Sequence, residues 1–95
     1  MIVKDPQNYK FIRFQKSHLS NKKYDAVLIN KKTKKQKLIP FGQKGYEQYK
    51  DSTGKGLYTK WNHLDKERRK RYRKRHDGEQ YNKFSSGYFS YYFLW

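Results

Sequence analysis

Residues 62–76 read NHLDKERRKRYRKRH, and whether this stretch is a helix decides what fold the chain can have. Eight of the ten residues from Lys66 to Arg75 are Lys or Arg, the exceptions being Glu67 and Tyr72. No Gly or Pro interrupts them, and straight-chain Lys, Arg and Glu lose little rotamer freedom in a helix. Asn62 or Asp65 can cap the start, and Asp65 and Glu67 fall in the first turn, where the helix dipole favours negative charge. Gly78 offers a stop. The expectation is a helix of about three to four turns over residues 62–77. Lys66, Lys70 and Lys74 repeat at i, i+4, as do Arg69 with Arg73 and Arg71 with Arg75. Each such pair repels by a few tenths of a kcal/mol, roughly, offset only by Glu67 with Arg71 and Asp65 with Arg69. The apolar stripe is thin: Trp61, Leu64 and Tyr72, with His76 below. It suffices to dock one side on a small core, leaving the other sides to water or to something polyanionic.

The rest of the 95-residue chain must supply that core. A formal charge of +16 opposes compaction and attracts nucleic acid, anionic lipid or an acidic partner. High charge with low hydropathy would by itself point to disorder. Ten Tyr, six Phe and two Trp point the other way, since each ring can bury on the order of 150–250 Å². One small folded domain is expected, steadied by a polyanion or by neighbours in an assembly. There is no Cys, hence no disulfide framework and no thiolate metal site. The opening MIVKDPQNYK lacks the apolar run of a signal peptide, and no stretch approaches the length of a membrane span. A soluble protein of a reducing compartment is expected.

Upstream, residues 1–7 are a short lead-in. Residues 9–15 alternate, with Tyr9, Phe11 and Arg13 on one side and Lys10, Ile12 and Phe14 on the other, which reads as a strand. Residues 17–23 form a polar connection. Residues 24–30, YDAVLIN, are the best strand candidate, with Val27 and Ile29 opposite Ala26 and Leu28. Asn30, Lys31, Lys32, Thr33 and Lys34 make a hairpin turn, and residues 35–41 return as a strand that Pro40 places at an edge or marks as ending. A β-meander over residues 9–41 follows. Five of the seven residues from Lys31 to Lys37 are Lys, free to reach outward from the hairpin tip. Residues 46–49, YEQY, can form one helical turn, and 51–56, DSTGKG, a loop. At the far end, six of the last eleven residues are aromatic. Ser85 or Ser86 can cap a short helix over residues 85–95, placing Tyr88, Tyr91, Tyr92 and Trp95 on one face and Phe89 and Phe93 on another. So apolar a segment closes the core or inserts into a partner.

Three pieces of this sequence carry a resemblance. They are Phe41-Gly42-Gln43-Lys44-Gly45-Tyr46-Glu47-Gln48-Tyr49; then His63-Leu64-Asp65-Lys66-Glu67-Arg68-Arg69 with Arg71-Tyr72 and Arg75-His76; then Ser86-Gly87-Tyr88-Phe89-Ser90 with Leu94-Trp95. Their order and spacing, over residues 24–95, resemble a family of small basic proteins encoded by nucleocytoplasmic large double-stranded DNA viruses. The chain differs from that pattern in having Tyr and Phe where such proteins commonly carry Trp and Leu. The resemblance implies a viral setting, in the virion or the infected cell, and supplies no mechanism.

The chemistry open to these residues is mostly electrostatic. The basic helix and the Lys-rich tip can neutralise phosphates, with affinity from counterion release and little sequence preference. Arg adds bidentate phosphate contacts, and Tyr or Phe can stack on bases. Arg68, Arg69, Lys70, Arg71, Arg73, Lys74 and Arg75 are the candidate phosphate contacts, with Lys31, Lys32, Lys34 and Lys35 as a second set and Tyr72 holding the helix to the core. A bare solubilising face is the bland alternative, and so many cations in three turns argue against it. His63, Asp65, Glu67 and His76 lack any metal-binding spacing and read as a cap, dipole partners and packed or surface histidines. His18 sits alone in a polar loop. Residues 51–56 lack the spacing of a phosphate loop, and no Ser has a matching base. The expectation is an α+β domain, a three-stranded antiparallel meander packed by a basic helix and a short aromatic C-terminal helix. It has no catalytic site, cofactor or metal, and binds nucleic acid, DNA ahead of RNA, in genome compaction or packaging. The alternative is a minor capsid or cement protein, its positive charge facing capsid proteins or genome. Tyr88, Tyr91, Tyr92, Phe93 and Trp95 would then dock into a neighbouring subunit.

Overall fold

The computed structural model describes residues 3–95; the first two residues of the lead-in lie outside it. Three antiparallel strands, β1 (Tyr9–Lys16), β2 (Lys22–Asn30) and β3 (Gln36–Gln43), form one sheet in the order β1-β2-β3. Two helices follow, α1 (Lys66–Arg75) and α2 (Ser86–Phe93), with short 3-10 turns at Pro6–Asn8, Thr59–Trp61 and Glu79–Tyr81. The molecule is an α+β domain measuring 42 × 26 × 20 Å.

The middle strand is buried on both faces from Lys23 to Leu28, which its run of apolar and β-branched residues allows. It begins at Lys22, so the end of the expected polar connection is strand. The hairpin between β2 and β3 is closed by Asn30, whose Oδ1 accepts from the N–H groups of Lys32 (2.9 Å) and Thr33 (3.0 Å). Pro40 sits in β3, an edge strand, where a missing ladder donor is tolerated.

Strict alternation along β1 does not hold. The register slips between Phe11 and Arg13, leaving Ile12 as an extra, exposed residue in a bulge. The slip turns both Phe11 and Phe14 onto the core side, their ring centroids 4.8 Å apart. The burial of two large rings outweighs the cost of one disrupted ladder position. Phe14 then becomes the hub of an aromatic core, with Phe93 at 4.7 Å, Phe41 at 5.5 Å and Phe89 at 5.8 Å.

Phe89 and Phe93 reach that core from α2. Ser85 caps this helix by accepting from the Tyr88 N–H (3.1 Å), and Ser86 Oγ donates to the Pro40 carbonyl (2.6 Å), which ties α2 to β3. The apolar C-terminal segment therefore closes the core: Phe89 and Leu94 are buried, and Phe93 and Trp95 pack against them.

Residues 44–64 contain no helical turn at 46–49. They run as an irregular strap held by buried polar groups. Gln48 bridges to Asn62, donating its backbone N–H to Trp61 O (3.1 Å) and accepting from the His63 N–H (3.0 Å). Its side-chain amide donates to Tyr58 O and Asn62 Oδ1, both at 2.8 Å, and accepts from Lys23 Nζ, which also donates to Tyr46 O (2.6 Å). Below it, the Tyr24 hydroxyl donates to the Asp51 carboxylate, and Thr53 Oγ1 donates to the same residue (2.6 Å). Five tertiary bonds at Gln48 outweigh the weak local preference of YEQY for a turn. His18 is likewise not alone: its Nδ1 lies 2.6 Å from Asp25 Oδ2. Burial of Asp25 raises its pKa, but the bonds from His18, Ser17 and Gln15 outweigh that and hold the carboxyl below its usual range.

Candidate nucleic-acid interface

The basic helix starts one turn later than its earliest capping candidate. Asp65 is the cap, its Oδ1 accepting from the N–H groups of Glu67 (3.0 Å) and Arg68 (3.2 Å). Those bonds, the Arg68 one foremost, hold the Asp65 carboxyl below its ordinary pKa. Asn62 is occupied in the strap, accepting from the Asp51 N–H and the Gln48 amide, both at 2.8 Å. Leu64, expected in the docking stripe, has φ 55° and is exposed, because the chain must turn sharply between strap and helix.

At 3.6 residues per turn, Arg69, Tyr72, Arg73 and His76 share one face of α1. That face docks on the C-terminal segment. Tyr72 stacks on the Trp95 indole (centroids 4.3 Å, planes 5° apart), and His76 stacks on Tyr72 (4.2 Å). Burial, then the nearby Glu79 carboxylate, push the Tyr72 hydroxyl up to about 12. Arg69 Nε donates to the Trp95 carbonyl at 2.7 Å and Arg73 Nε to the same oxygen at 3.3 Å. Their guanidinium groups lie over Tyr49 (4.7 Å) and Tyr91 (4.8 Å), so two arginines take the place of the missing apolar stripe. Arg68, at the border of this face, pairs with Glu47 (3.1 Å). His63 packs beside Trp95 at 5.2 Å; burial, then the Arg68 charge, hold its imidazole below the usual pKa.

The opposite face carries Lys66, Lys70, Arg71, Lys74 and Arg75, all exposed, with Glu67 among them. Among the described residues none of these five cations takes part in an ion pair. Of the seven candidates on the helix, Lys70, Arg71, Lys74 and Arg75 face solvent, whereas Arg68, Arg69 and Arg73 are engaged within the fold. Lys66 belongs with the free set, and the spacing Lys66, Lys70, Lys74 was the signal for it. In the hairpin, Lys31, Lys32, Lys34 and Lys35 are all exposed, as is Lys37. Of the aromatic docking candidates, Tyr92 is exposed; Tyr88, Tyr91, Phe93 and Trp95 are partly covered by their own chain.

The chemistry of this surface is that of fixed cations on a stiff rod. It can pair with several phosphate oxygens at once, and its one carboxylate, Glu67, is outnumbered. Among the described residues, no group of three or more His, Cys, Asp or Glu is placed to hold a metal ion. No described helix is long and apolar enough to cross a membrane.

Neither a curated protein nor a solved structure matches the chain. One family model does match, over residues 12–76, a span that holds most of the sheet, the hairpin tip and the whole of α1. Since that span is more than half of the sequence, the chain belongs to the family of unknown function DUF5754.

Proposed function

We propose that this protein binds nucleic acid without sequence preference, through phosphate contacts from the solvent face of α1. The observation that carries the reading is the division of labour on the helix. Two arginines and Tyr72 hold it to the body, and five cations on the opposite face are left without carboxylate partners. Leaving like charges at i, i+4 is unfavourable unless an anionic surface meets them. Sequence readout has little support, since no Asn, Gln or small residue on that face could sort base edges. The role is one of binding, without catalysis.

The resemblance to basic proteins of large DNA viruses suggests the setting: compaction or packaging of a DNA genome in the infected cell or virion. The capsid-cement alternative has weaker support, because the rings it would offer to a neighbour are largely engaged at home.

Binding to random-sequence duplex DNA, measured across a salt series, tests the reading. Five phosphates neutralised by α1 predict a log–log slope of about −4 to −5, and steeper if the hairpin tip joins. Affinity should be the same for unrelated duplex sequences. Weak binding at low salt, or a flat salt dependence, would remove the proposal.

A further inference from the structure

The two basic clusters lie at opposite ends of the sheet. The lysines of the hairpin tip project beyond Asn30 and Gln36. Helix α1 lies beside the other end, where Arg68, Tyr72 and His76 share a cleft with Lys22 and Gln43. Gln36 and Gln43 are seven residue steps apart in β3, on the order of 23 Å at strand rise. The α1 cations point away from Trp95, Tyr49 and Tyr91, hence away from the body. At the tip, Lys31, Lys32, Lys34, Lys35 and Lys37 are exposed, and among the described residues none is in an ion pair. Between the clusters runs β2, buried from Lys23 to Leu28 and hydrogen-bonded to a neighbouring strand on both sides.

We infer that one copy of this chain bridges two nucleic-acid duplexes, α1 holding the phosphates of one and the β2–β3 hairpin tip those of the other. The inference rests on the phosphate-binding reading above and adds that binding is bivalent within a monomer. A duplex laid on the outward face of α1 lies away from the hairpin tip, which stays free for a second. Compaction then follows from cross-linking separate segments.

The test is capture of a labelled random-sequence duplex by bead-tethered duplex, with the full chain as the only link. Wild type should capture the second duplex, and capture should fall again when protein exceeds both DNAs, because each end then finds its own duplex. The variant Lys31→Gln, Lys32→Gln, Lys34→Gln, Lys35→Gln changes only exposed tip side chains. It should keep its affinity for a single duplex to within about tenfold and lose capture, as expected when one of two linked sites is removed. Lys70→Gln, Arg71→Gln, Lys74→Gln, Arg75→Gln should also lose capture. Wild type that binds one duplex with a steep salt dependence yet captures no second one overturns bridging and leaves the phosphate-binding reading standing. That result would place a single duplex along the exposed Lys10, Arg13 and Lys16 of β1, touching both ends at once. Capture that survives in the tip variant also overturns it. Failure to bind any duplex removes the parent reading, and bridging with it.

Discussion

Arg69 and Arg73 separate two uses of the same side chain. In the sequence they are indistinguishable from Arg71 and Arg75; in the fold they reach the Trp95 carbonyl and lie over tyrosines contributed by distant segments. Charge alone says outward, and only the position of residue 95 says inward. Replacing Arg69 by Ala removes a charged hydrogen bond and a ring contact, and should cost roughly 2 kcal/mol in urea unfolding. Arg69→Lys should not restore it, because a lysine lacks the planar fork. Neither change should alter the salt slope of DNA binding. Lys23 gives a prediction in pH. The residue is 2% exposed, and burial, opposed by the Asp51 charge, pulls its pKa down to about 8. Between pH 8 and about 10 the unfolded chain keeps a proton that the folded one has released, so stability rises with pH. Tyr24 and Tyr72, both pushed up to about 12 by burial first, work the other way above about pH 10, where the unfolded chain loses protons that the fold retains. Thermal melts of wild type should therefore climb from pH 8 to 10 and fall beyond. Lys23→Met should flatten the climb; an unchanged climb would assign it to other groups.

At the scale of elements, β2, the hairpin and α2 were legible because local chemistry and burial ask for the same thing there. A β-branched run, an Asn at the head of a turn, and serines before an aromatic segment are each satisfied where they stand. The bulge at Ile12 was not legible, since period-two reading has no means of knowing that Phe11 and Phe14 both find partners below the sheet. Nor was the strap, whose form depends on Lys23, Gln48 and Asn62 meeting from three parts of the chain. The free face of α1 was half legible: its cations were evident, but which of them the fold would occupy was not. The capping of α2 yields a direct check. Ser85 is buried, with its hydroxyl on the Tyr88 N–H. Ser85→Ala should destabilise the protein by about 1 kcal/mol or somewhat more, read as a lower urea midpoint with the same m-value. A neutral result would mean that the burial of Phe89 and Phe93, rather than the cap, sets where α2 begins.

For the whole molecule, a charge of +16 on 95 residues is tolerable because the core is built from rings and nearly all the cations are kept at its surface. The helix that looks from its sequence like a free rod is anchored by one face and offers the other. That division is the central claim, and the salt dependence of duplex binding in paired variants measures it most directly. Lys70→Ala, Arg71→Ala, Lys74→Ala, Arg75→Ala should make the log–log slope shallower by about 3 to 4 while leaving the melting temperature within a few degrees. An unchanged slope in that variant, or a slope lost equally by Arg69→Ala with Arg73→Ala while still folded, would contradict the account.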